Sequence, residues 1–169
     1  MGNEILGRLD FNRRDEPEPD TDLRRLLTAW LDYQRHEFRR KWRDLSPEAL
    51  AEWSIPPVEL SVLGLIRHMT QMEHVNLSWG LGGGELEMIY GDDDYAGGST
   101  GTVSADVEAY LVEVERADEA IASMPGLDST GRGHGRHLAA SLVKMIDEYA
   151  LHSGQAHMLR FAALGEMIR

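Results

Sequence analysis

Three side chains in this sequence are of types that hold divalent metals, and their spacing lets them meet: His68, Glu148 and His152. Glu148 and His152 are four residues apart, so on a helix they stack along one edge of the same face. At about 100° per residue, Leu138, Leu142, Met145, Tyr149, Ala156 and Ala163 gather around one direction of that helix. His152 lies about 40° from the centre of this stripe and Glu148 about 80° on the same side, whereas Asp147 points toward water. In an earlier helical stretch Leu65 and Met72 mark the inner face, with Met69 and Trp79 nearby. His68 falls about 60° from Leu65, inside that face, and His74 points the other way.

An ionised carboxylate turned toward a core requires a partner. A divalent cation would neutralise Glu148 and take a lone pair from each neutral imidazole. Two histidines and one carboxylate would leave coordination positions open, as catalytic sites do. Water bound there becomes acidic enough to supply hydroxide near neutral pH, and a bound thiol loses its proton. The alternative is a metal-free core network in which Glu148 bridges His152 and His68. Facing and spacing leave both arrangements open.

Four long helical patterns must position these residues. The first starts near Asp20 or Thr21, both good caps, carries Leu23, Leu26, Leu27, Trp30, Leu31, Gln34 and Phe38, and fades near Leu45. Ser46-Pro47 opens a short helical piece with Leu50 and Trp53 on its apolar side, and Pro56-Pro57 stops it. The second long helix is expected over about 59–81, ended by Gly82-Gly83-Gly84. Residues 82–102, rich in Gly and Asp, form a long connection for a small bundle. The third helix begins near Ser104 and ends at Pro125-Gly126, and the last runs over about 137–163. No useful segment alternates with period two, so no sheet is expected. The reading is an all-α protein: an antiparallel four-helix bundle (residues 21–169) with one long crossover between the second and third helices. Residues 1–20 read as a flexible arm that can dock through Ile5, Leu6 and Leu9.

The chain has 169 residues and a formal net charge of −12. Such a surface repels a phosphate backbone, so no nucleic-acid partner is expected. The basic cluster Arg35, Arg39, Arg40, Lys41 and Arg43 reads as a solvated helix face, and His36 as a surface residue. There is no cysteine, which excludes thiolate metal sites and cysteine nucleophiles. No signal-peptide core and no membrane-length apolar run is present, so the protein is expected to be soluble and cytoplasmic. Asp92, Asp93 and Asp94 lack the spacing of a calcium loop and read as solvated. His134 and His137 sit in or beside a glycine-rich loop and read as exposed. Ser153 makes no hydrolase elbow, and no phosphate loop or dinucleotide fingerprint occurs.

Two segments carry a family likeness. Residues Leu60-Ser61-Val62-Leu63-Gly64-Leu65-Ile66-Arg67-His68-Met69, and Asp147-Glu148-Tyr149-Ala150-Leu151-His152-Ser153-Gly154-Gln155, resemble the second- and fourth-helix signatures of the DinB superfamily (DinB/YfiT-like metalloenzymes). The likeness extends to Leu31-Asp32-Tyr33-Gln34-Arg35 and Leu45-Ser46-Pro47-Glu48 and covers roughly 21–165. It is similar to a mainly actinobacterial branch related to mycothiol-dependent maleylpyruvate isomerases. The resemblance implies an up-down-down-up bundle. It also implies a divalent metal, zinc or nickel, on His68, Glu148 and His152. Many members have histidine in place of Glu148; the glutamate is similar to the maleylpyruvate isomerases. The branch often has histidine where Gln155 stands and an acid where His157 stands, while Gln155 matches the His-x-Gly-Gln form of the wider superfamily.

The activity so implied is a metal-dependent transferase or isomerase using a low-molecular-weight thiol such as mycothiol and an electrophile, within a homodimer. Gln155, Arg160, Trp79 and Tyr149 are the candidate substrate-binding residues. A non-catalytic metal- or ligand-binding bundle and a metal-dependent hydrolase are the alternatives.

Overall fold

A computed structural model of the chain describes residues 11–165. The helices are α1 (Leu23–Lys41), α2 (Pro47–Ala51), α3 (Val62–Glu73), α4 (Trp79–Gly82), α5 (Val103–Ser123) and α6 (Leu138–Leu164). A π-helical turn, His74–Ser78, joins α3 to α4 so that the two form one rod, and a 3-10 turn, Gly91–Asp93, lies in the crossover. No strand forms among the described residues; one antiparallel bridge, Thr130 to His137, closes the loop before α6. The all-α expectation holds. Among the described residues no helix is long and apolar enough to cross a membrane. Ile5, Leu6 and Leu9, the expected docking residues of the arm, lie outside the described residues.

Side-chain caps set the helix starts. Asp22 accepts hydrogen bonds from the Arg24 and Arg25 amides at 3.0 and 3.1 Å, satisfying donors that the first turn leaves free. Ser46 caps α2 with Pro47 in its first turn. Ser61, rather than Glu59, caps α3 by accepting from Gly64 N at 2.9 Å. Arg24 closes the far end of α5 by donating to the Met124 and Ile121 carbonyls at 2.6 and 2.8 Å.

The core centres on Phe38, Trp42, Tyr110 and Tyr149, all fully buried. Their rings meet edge-on or tilted at 5.7–6.3 Å, and each such burial contributes on the order of 2 kcal/mol. Two interhelical relations position the site. Arg67 pairs with Asp106 and His74 with Glu113, a constant offset of 39 residues, so α3 and α5 lie side by side in one direction. His68 faces His152 while Glu73, farther along α3, faces Tyr149, farther back on α6, so those two helices run oppositely.

Three expectations are corrected. Arg35 and Arg40 do not lie on a solvated face: they are 2% and 4% exposed. Arg35 grips both oxygens of buried Glu73, at 2.7 Å each, and reaches Asp118 at 2.6 Å. His36 is fully buried, its Nε2 donating to the Asn12 carbonyl at 2.6 Å. His134 is half-buried, donating from Nε2 to the Asn76 carbonyl at 3.0 Å. For Arg35, His36 and His134 a neighbour distant in sequence supplies the partner that burial demands, whereas Arg40 pairs with Glu37 one turn away on α1.

Candidate metal centre

His68 comes from the middle of α3, and Glu148 and His152 from consecutive turns of α6. Each offers one ligand atom, and the three atoms lie within 4.8 Å of one another. Glu148 Oε2 is 3.2 Å from His152 Nε2 and 3.9 Å from His68 Nε2. The imidazole centroids are 4.7 Å apart, at 67°. Ligands about 2.0–2.2 Å from a tetrahedral ion sit roughly 3.3 Å from each other, so these residues fit a single divalent cation with small adjustments. The site is largely buried: all three side chains are only 6–12% exposed.

The other polar atom of each side chain is also held. His68 Nδ1 donates to Asp94 Oδ2 at 2.8 Å. His152 Nδ1 donates to Gln155 Oε1 at 2.7 Å. Lys144, one turn before Glu148, engages Glu148 Oε1. With a proton on Nδ1, a neutral imidazole presents only a lone pair at Nε2. The three inward atoms are then acceptors facing acceptors, an arrangement that a cation satisfies. A network bridged by Glu148 would need the Nε2–H form. At His68 that form would turn the Nδ1 lone pair onto the Asp94 carboxylate. Protonating both nitrogens of His68 is disfavoured as well: burial pushes its imidazole down despite the hydrogen bond to Asp94 and the carboxylate of Glu148. Burial raises the Glu148 carboxyl, but Lys144 and the two histidines outweigh it and hold it below its ordinary value. Outer partners of this kind are typical of metal-ligating histidines.

A model of the mycothiol-S-transferase family matches residues 26–165. The chain belongs to the mycothiol-S-transferase family. No curated protein and no solved structure matches it. The matched segment contains all three candidate ligand residues and their outer partners Asp94, Lys144 and Gln155.

The remaining site candidates separate. Gln155 meets His152. Tyr149 is sealed in the core at 0% exposure, its hydroxyl donating to Glu73 at 2.6 Å, so it presents no surface to a substrate. Arg160 is 4% exposed and donates to the Arg43 carbonyl, which commits it to joining α6 to the end of α1. Trp79 lies eleven residues beyond His68, past the π-helical turn, where its indole donates to the Gly84 carbonyl at 3.0 Å.

Three neighbours were not anticipated from the sequence. Asp94 is corrected from a solvated loop residue to a partly buried partner of His68. Tyr95 stacks on the His68 ring at 4.2 Å and 18°. Burial, with Asp94 and Glu148, pushes its phenol up to about 12, so it stays neutral. Lys144 could have been found from its four-residue spacing to Glu148. Asp94 and Tyr95 carry no such local signal.

Proposed function

We propose that this family member is a divalent-metal-dependent enzyme that joins a low-molecular-weight thiol, mycothiol by family, to an electrophile. The observation that carries the reading is the convergence of His68 Nε2, Glu148 Oε2 and His152 Nε2, with the opposite atom of each already engaged. Zinc or nickel suits two imidazoles and a carboxylate. A divalent ion held there would lower the pKa of a bound thiol and so supply thiolate near neutral pH.

The chain's own residues account for the rest of the site. His68 and His152 contribute neutral lone pairs, so the carboxylate of Glu148 is the only charged ligand among the three. Lys144 occupies Oε1, which leaves Oε2 as the inward atom and keeps coordination positions free for a thiol. Tyr95 covers one face of His68 and shields it from water. The pair directions of α3 with α5 and of α3 with α6 support the up-down-down-up order that the resemblance implies.

The test is thiol consumption by zinc- or nickel-loaded protein given mycothiol and monobromobimane. Adduct should form above the uncatalysed rate, and His68→Ala and His152→Ala should return it to background. Unchanged turnover in both variants rejects the mechanism. Hydrolysis of activated esters without any thiol, lost in the same variants, would instead favour the hydrolase.

A further inference from the structure

The long crossover has its own receiving surface on α3. Gly64, Arg67, His68 and Gln71 fall at i, i+3, i+4 and i+7, one stripe of the helix, and all four touch residues 90–95. Arg67 donates from Nε to the Asp94 carbonyl and from Nη2 to the Asp93 carbonyl, both at 3.0 Å. Its Nη1 meets Asp106 of α5 at 3.1 Å, and its guanidinium lies 4.0 Å above the Tyr90 ring. Gln71 donates to the Gly91 carbonyl at 2.9 Å and accepts from the Tyr90 amide at 3.0 Å. Gly64 has no side chain because the Tyr95 carbonyl presses directly on it. Arg67 is 8% exposed and Gln71 2%, so these bonds form away from competing water.

The clamp ends at Asp94. Asp94 Oδ1 accepts from the Tyr95 amide at 2.9 Å, which fixes carboxylate rotation and aims Oδ2 at His68 Nδ1. We propose that Asp94, held by Arg67, is a positioning residue of the metal centre, fixing the tautomer and direction of His68 so that its Nε2 lone pair meets Glu148 and His152. The crossover is therefore part of the site, and its length is what lets an acid from outside the bundle reach the outer edge of α3. A carboxylate partner also strengthens an imidazole as a donor, whereas His152, backed by the neutral amide of Gln155, lacks that help.

This inference rests on the metal-centre reading, and the experiment separates the two. In the metal-free protein, ¹⁵N–¹H correlation spectra of the histidine rings report the His68 tautomer directly. Zinc affinity follows from competition with a chromophoric chelator, and the cobalt-substituted protein gives the ligand-field spectrum. Asp94→Ala should lose the Nδ1–H form, weaken zinc about 10–100-fold and alter the cobalt spectrum. Asp94→Asn keeps one acceptor oxygen but turns its NH2 onto either the Tyr95 amide or His68, so it should fall between the wild type and the alanine variant in both tautomer and affinity. Arg67→Met, which leaves the carboxylate in place but unclamped, should weaken zinc in the same direction. An unchanged tautomer and affinity in Asp94→Ala overturn the inference, as does unchanged affinity in Arg67→Met should the alanine variant fail to fold. Zinc binding that survives His68→Ala defeats the metal centre itself, while a tautomer shift in Asp94→Ala would still establish the contact.

Discussion

Gly64→Ala probes the link between fold and site without touching a polar group. A Cβ built on Gly64 overlaps the Tyr95 carbonyl oxygen and sits 3.1 Å from its carbonyl carbon and 3.4 Å from Ser61 Oγ. The obstacle is backbone, so no rotamer change relieves it. Regaining roughly 3.5 Å of separation requires the crossover to retreat by about 1.3 Å. The His68–Asp94 bond, 2.8 Å long, would stretch to as much as about 4.1 Å, beyond hydrogen-bonding range. Overpacking of this kind costs about 1–3 kcal/mol of stability, and loss of the outer partner should weaken zinc about 10–100-fold. Chelator competition and thermal unfolding of the purified variant measure both. Tight zinc binding with unchanged unfolding would mean that the crossover is not pressed onto α3, and the proposed clamp would lose its basis.

Two predictions concern the buried charges that hold the bundle around the site. Arg35→Met strands the fully buried Glu73 carboxylate with Tyr149 as its remaining donor, so urea unfolding should show a loss of about 3–5 kcal/mol; adding Glu73→Leu should recover most of it, and additive losses would refute the pairing. Burial raises the Glu113 carboxyl, but His74, Ser78 and Arg116 outweigh it and hold it below its ordinary value of 4.5. Its contribution is therefore full above pH 4.5 and is lost as pH falls through the lowered value. Glu113→Gln should flatten the acid limb of the stability–pH profile, and identical limbs would contradict the assignment.

The sequence is readable wherever the deciding relation is local. Ser46-Pro47 starts α2 as its cap chemistry requires, and the four-residue spacing of Glu148 and His152 already placed them together. The inner stripe of α3 also correctly turned His68 toward α6. What failed were inferences in loops and charge runs, where the deciding partner is distant and no periodic stripe points to it. Arg35 sits in a basic run that looks solvated, and Glu73, which draws it inside, is 38 residues away. Asp94 sits in an acidic, glycine-rich run, and its partner His68 is 26 residues away. The π-helical turn at His74–Ser78 changes the hydrogen-bond ladder without changing composition, so hydrophobic periodicity cannot announce it.

Charge balance ties these readings together. Without an ion, and with each imidazole in its neutral form, the centre and its outer partners would carry two carboxylates, Glu148 and Asp94, against the single ammonium of Lys144. Crowding negative charge around two lone pairs makes little sense as a core network, because each acceptor needs a donor that the others cannot provide. It makes sense around a divalent ion, which turns a net −1 into a net +1. On the metal-dependent reading proposed above, one thiolate would then bring the site to neutrality, so the charge balance would suit a single anionic ligand at the ion.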